Sequence, residues 1–321
     1  MAKKIKETDM QTCRQTFKVV LSAAFCSKKV HRKNISVNLE DSSAPNCKLP
    51  AYPNGIRNPA VLFYLEERQE VLACGGLDPQ GELTKDCFTF DGVKWSAAAE
   101  GFADDHCFYN TEQVYVDGVG LWILGAKMFL DSNSAVSCDA GPSSEILTPE
   151  GKWIAGPPTP DPWGVCAVQV NSTHTFLTGG IGRDQEAWFY NWDNQTWTRT
   201  ANINQGRDYH GCALVNDKVV IVAGGKSSGG FKQSVESFSV KSESWRTEAS
   251  LPVGLSARNP SLLSWKDGLL GLFFYSDQVY VRGEAYGEWT GLPGVQLNQQ
   301  FNGDADKAVL VPDNFAWFWQ C

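Results

Sequence analysis

The 321-residue sequence contains no run of about eighteen or more apolar residues, so no segment reads as a membrane-crossing helix. It has only four histidines (His31, His106, His174 and His210), set far apart, and no Cys-x-x-Cys. That spacing offers no tetrahedral zinc set, and neither a metal nor a cofactor is expected. Positive charge is also short: 28 Lys and Arg against 36 Asp and Glu give a net charge of -8 and a pI near 5.1. Such a surface does not favour a polyanion, so no nucleic-acid partner is expected. Methionine is scarce too, with three residues.

Glycine and tryptophan, by contrast, are plentiful, at 30 and 12 residues, and hydrophobic residues make up 42% of a globular composition. Tight turns combined with large rigid side chains favour β structure over helix bundles. The length suits two ordinary domains or one large repeat-built domain.

The ten cysteines are an even number, which permits full pairing without requiring it. Near the N-terminus, Arg14 and Lys18 precede the short apolar run Val19 to Phe25. Residues 1–30 therefore read as a leader or secretory signal, or else as carrying an ordinary strand. Asn-x-Ser/Thr sequons begin at Asn34, Asn171 and Asn194.

The informative signal is a repeat. Trp95, Trp153, Trp197, Trp245 and Trp289 recur at intervals of 58, 44, 48 and 44 residues. Seven residues before the first four stand Phe88, Ile146, Tyr190 and Phe238; Tyr280 stands nine before the fifth. Turn formers lie between, so each unit reads as a β-hairpin whose second strand carries the Trp. Upstream, the apolar runs Val71–Cys74, Thr175–Thr178 and Val219–Ala223 end in Gly75-Gly76, Gly179-Gly180 and Gly224-Gly225. Each unit is thus four strands, with the inner pair almost continuously apolar. Such continuity means burial on both sheet faces, as in the blade of a β-propeller.

The order of apolar run, Gly-Gly, Tyr or Phe, six residues and then Trp resembles the Kelch repeat over most of the chain from about Asn46. It is cleanest from Gly179 to Trp197 and from Gly224 to Trp245. The resemblance implies an all-β, six-bladed Kelch-type propeller of four-stranded antiparallel blades. Its blades would fall near 57–101, 102–158, 159–203, 204–251 and 252–294. N- and C-terminal strands would close the last blade, from 295–321 together with 31–56. Candidate closing strands are Lys307–Val311, Phe315–Trp319, Asn34–Glu40 and Phe17–Phe25.

In this frame Cys74 and Cys87 lie on adjacent strands, the preferred disulfide. Cys107, Cys166 and Cys212 occupy equivalent first-strand positions and read as small buried hydrophobes. Cys138, in the loop between Lys127 and Glu145, is a possible disulfide partner of Cys107, and Cys47–Cys321 would staple the closing blade. A disulfide places the chain outside the cell, with the cytoplasm as the alternative.

Propellers bind through loops at one end of the ring, here those joining strand 4 to the next strand 1 and strand 2 to strand 3. The first class holds Arg57, Asn58, His106, Trp163, Arg207, Tyr209, His210, Arg258 and Asn259, the candidate partner-binding residues. The Arg fork suits carboxylates. These Arg and His residues are equally suited to fixing blade register through backbone hydrogen bonds. The second class comprises Leu77–Asp86, the long Lys127–Glu145 segment with Met128-Phe129-Leu130, Ile181–Glu186 and Lys226–Gln233. The chain resembles an isolated Kelch propeller without a BTB domain. It reads as a monomeric, non-catalytic module for a protein partner. The alternative is a copper oxidase similar to galactose oxidase, drawing on His106, Tyr209 and His210. A sialidase-like hydrolase would need Ser-x-Asp-x-Gly-x-Thr-Trp turns, which do not occur.

Overall fold

The computed structural model describes residues 17–22, 34–38, 48–49, 52–56, 60–80, 82–98, 101–102, 111–125, 127–130, 136–139, 144–160, 164–252, 256–265, 268–274, 276, 278–283, 287–296 and 307–312. It is an all-β propeller of four-stranded antiparallel blades. Blade 1 comprises Val61–Leu65, Glu70–Cys74, Cys87–Phe90 and Trp95–Ala97; blade 2 comprises Glu112–Val116, Gly120–Leu124, Ser144–Leu147 and Trp153–Ala155. Blade 3 is Val165–Asn171, His174–Gly179, Ala187–Asn191 and Thr196–Arg199; blade 4 is Gly211–Val215, Val219–Ala223, Val235–Ser239 and Ser244–Glu248. Blade 5 is Ser256–Trp265, Gly268–Phe274, Gln278–Arg282 and Trp289–Gln296. A further four-stranded sheet has the order Lys307–Pro312, Phe17–Ser22, Asn34–Asn38, Lys48–Leu49. In it Phe17 to Ser22 pairs antiparallel with Pro312 to Lys307. Phe315–Trp319 lies outside the described residues.

The core lies between blades. Successive strand residues point to opposite faces, and both faces are covered by a neighbour. In blade 1, Val71 and Ala73 join one apolar cluster while Leu72 and Cys74 join the next. In blade 2, Leu121 and Ile123 face blade 1, and Trp122 and Leu124 face blade 3. In blade 4, Val220 and Val222 meet blade 3 while Val219, Ile221 and Ala223 meet blade 5. Uninterrupted apolar second strands are the sequence record of this double burial.

The recurring tryptophans have a consistent job. Each packs on the segment that leads into its own blade. Trp95 meets Tyr52 at 5.3 Å, and Trp153 meets Phe102 at 4.8 Å between ring centres. Trp197 Nε1 donates to Pro158 O and Trp245 Nε1 to Ala201 O, both at 2.8 Å. Trp289 shares a cluster with Leu251. A large ring with one donor fits this position, since its body fills the gap between blades and its N–H satisfies a linker carbonyl.

The cross-strand register follows the repeat only in blades 3 and 4, where Tyr190 faces Trp197 and Phe238 faces Trp245. In blades 1 and 2 the connection is shorter, and Phe90 and Leu147 face the tryptophan rather than Phe88 and Ile146. In blade 5 the spacing is the same as in blades 3 and 4, but Arg282 rather than Tyr280 faces Trp289. In blade 1 the turn is shorter because the Asp91 carboxylate accepts from the Val93 and Lys94 amides, at 2.8 and 2.9 Å.

Cys74 faces Cys87 directly across the strands, Cα atoms 4.1 Å apart, and the two form a disulfide. Cys166 and Cys212 correct the expectation of free thiols: they form a disulfide joining the first strands of blades 3 and 4, with Cα atoms 5.9 Å apart. Equivalent positions on neighbouring blades are themselves neighbours, and so within bridging reach. The other six cysteines lie outside the residues described here in full.

Candidate binding face

Strand order puts the 2–3 loops and the linkers between blades at one end of the propeller, and the 1–2 and 3–4 turns at the other. The first end is described most completely at blades 3 and 4. There the second strands exit through Gly179 (φ +69°) and Gly224 (φ +70°), each followed by another glycine of positive φ. The blade 3 pair is required twice over. The φ suits glycine, and a Cβ on Gly179 would collide with the Arg207 carbonyl and the His210 ring.

Arg207 and His210 therefore point inward, correcting their assignment as partner contacts. Arg207 is 0% exposed. Its Nη2 pairs with Glu236 Oε1 at 2.7 Å and donates to Ser234 Oγ, while Nη1 donates to the carbonyls of Gly224 and Ser234, both at 2.9 Å. Its Nε donates to Gln205 O. Glu236, equally buried, also accepts from the Asn204 and Gln205 amides and from Asn204 Nδ2. One ion pair thus ties the blade 3–4 linker to both inner strands of blade 4. Desolvation pulls the Arg207 guanidinium down while Glu236 holds it up. His210 is 5% exposed; burial, then the Arg207 charge, depresses its imidazole to about 3, so it stands neutral between the glycine pairs.

Tyr209 stays at the surface. It is half-buried with φ +53°, and its amide donates to Gly164 O at 2.9 Å. Lys226 Nζ lies 4.4 Å from its ring centre. Two backbone bonds between Asp208 and Lys226, at 2.8 and 2.9 Å, fix that arrangement. The Asp208 carboxyl is raised, chiefly by desolvation and opposed by Lys226.

Two large apolar side chains project from the 2–3 loops flanking Tyr209: Ile181 of blade 3, 39% exposed, and Phe231 of blade 4, 55% exposed. Phe231 sits on a minor hairpin in which Lys226 and Ser227 pair with Phe231 and Gly230. The loops were legible as candidates, but these two residues were not singled out. The tight Gly229-Gly230 turn just before a lone Phe was the available signal.

Of the remaining sequence candidates, Arg57, Asn58, His106 and Trp163 lie outside the described residues. Arg258 and Asn259 fall on the first strand of blade 5, Ser256–Trp265, in its opening stretch 256–259, of which only the backbone is described. Among the described residues, no three His, Cys, Asp or Glu side chains come together as metal ligands, and no helix is long and apolar enough to cross a membrane. Met128, Phe129 and Leu130 belong to a two-stranded sheet with Val136–Asp139.

The family model described as "Kelch motif" matches residues 206–252, which is blade 4 together with Arg207 and its linker. Blade 4 of this propeller is thus a Kelch motif. Two curated proteins similar to this chain come from Limulus polyphemus. Beta-scruin is 26% identical over 88 residues, 24% of this chain and 10% of that protein. Alpha-scruin is 26% identical over 103 residues, 29% of this chain and 11% of that protein. The matched stretch thus covers about a tenth of each scruin.

Proposed function

We propose that this propeller is a non-catalytic module that binds a protein partner through the end carrying the 2–3 loops and blade linkers. The observation that carries this reading is the exposed pair Ile181 and Phe231, held on fixed loops on either side of the Tyr209–Lys226 contact. Aromatic and aliphatic anchors on a rigid frame suit a binding hot spot. The Kelch motif and the scruin similarity support a protein-binding propeller in general. Arg57, Asn58, Trp163, Arg258 and Asn259 are proposed to extend the same face. Six blades complete the ring, the sixth built from Lys307–Pro312 and the three N-terminal strands, in a monomeric chain. In support, Lys307–Pro312 lies against the first strands of both blade 1 and blade 5, and Tyr52, which follows Lys48–Leu49, receives Trp95 as the other linkers receive theirs. Two disulfides support an extracellular setting.

Photo-crosslinking residues placed at 181 and 231, with exposed Val93 as control, test the face in extract from the native source. The reading predicts the same protein captured from 181 and 231 and absent from 93. Equal capture from all three positions would contradict it. Metal analysis of the purified chain separates the copper-oxidase alternative, which requires one tightly held metal ion per chain.

A further inference from the structure

At the opposite end, the hairpin turns of blades 1 and 2 enclose a cleft of about 410 Å³. That volume falls in the range of small-ligand sites, about 300–1,000 Å³. Phe63 and Tyr115, from the first strands of the two blades, line it and stack at 5.8 Å with their planes 9° apart. Glu66, Glu67, Asp117 and Arg68 line it as well, so three carboxylates stand against one guanidinium in its charge balance.

The walls are braced on both sides. Gln113 of blade 2 clamps Leu62 of blade 1, accepting from its amide at 3.2 Å and donating to its carbonyl at 2.6 Å. Arg68 Nη2 donates to Pro149 O at 2.8 Å, directing its guanidinium to the backbone of blade 2. The Tyr115 hydroxyl is held above its ordinary value, by burial first and then by Glu67, Asp117 and Glu66, so the carboxylate field reaches the aromatic wall.

Such carboxylates alone would be a solvated edge. A braced cleft that joins them to an aromatic wall is different, because rings attract cations through their faces and carboxylates add charge complementarity. Anionic ligands meet net repulsion there. We propose that this interblade cleft binds an organic ammonium head-group, quaternary or protonated, on a short aliphatic body. The site lies away from the proposed partner face, and neither reading depends on the other.

Titration of the full chain with choline, with its neutral carbon isostere 3,3-dimethylbutanol, and with a trimethyllysine peptide tests this by calorimetry or ligand-observed NMR. Choline is expected to bind with a Kd on the order of 1 mM and the isostere about tenfold more weakly or worse. A peptide binding about tenfold tighter than choline would assign the head-group to a protein side chain, and equal affinities to a free amine. Glu67→Gln and Asp117→Asn, exposed changes that spare the fold, should together weaken choline by about fivefold or more and flatten its salt dependence. Tyr115→Leu, checked by its melting curve, should abolish binding. Equal affinity for choline and the isostere, no choline binding up to tens of millimolar, or choline binding indifferent to the two carboxylate changes would each overturn the proposal.

Discussion

Arg207 shows how a surface-type residue becomes structural. Its donors satisfy carbonyls at the inner strand ends, and its charge meets Glu236 out of water. Removing one member of such a pair leaves the other buried and uncompensated. Arg207→Ala should therefore destabilise the fold by about 3–5 kcal/mol in urea denaturation, and Arg207→Met with Glu236→Leu together by much less. A small loss for Arg207→Ala would return the residue to the binding face. The sequence placed Arg207 in the right linker, but which way a guanidinium turns is decided by Glu236, 29 residues later. His210 adds a pH dependence. Its folded value is about 3, against an ordinary value near 6.5. Its contribution is thus complete above about pH 6.5 and is lost as pH falls toward 3, at up to about 1.4 kcal/mol per unit. The raised Asp208 carboxyl runs the other way, regaining stability on acidification, so the comparison with His210→Gln isolates the imidazole. The variant should lose less stability than the wild type between pH 7 and pH 4.5, measured by chemical denaturation. Equal losses would show that the ring is not held neutral.

At the scale of the blade, the Trp period was the most legible feature, because a wedge between sectors must recur with them. The exact facing partner was less so, since turns such as Asp91–Lys94 shift the register without disturbing the wedge. Trp245→Ala should cost about 3–5 kcal/mol for truncating a packed ring. Trp245→Phe, which loses the donor to Ala201 O, should cost about 1 kcal/mol beyond the change in packing. Thermal or urea melts check both, and losses below about 1 kcal/mol for the Ala variant would place the ring outside the interblade layer. The Cys166–Cys212 bridge was missed because a pattern of equivalent positions looks the same for packed thiols and for bridges between blades. It closes a separation of 46 residues. Mutating both cysteines to Ser should lower stability by about 3–4 kcal/mol on the loop-entropy estimate, and non-reduced peptide mapping should find the cross-linked pair.

For the whole molecule, the repeat gave blades but did not say which terminal segments join them. Phe17–Ser22 reads equally as a leader or a strand, and in the structure it pairs with Lys307–Pro312. A ring closed this way would lose two sheet edges otherwise open to other chains. The most direct test is hydrogen exchange, read by mass spectrometry, on a variant lacking residues 307–321. A ring closed by the termini predicts that Val61–Leu65 and Ser256–Trp265, the strands on either side of Lys307–Pro312, both lose amide protection. Unchanged protection in both strands would contradict the closed ring.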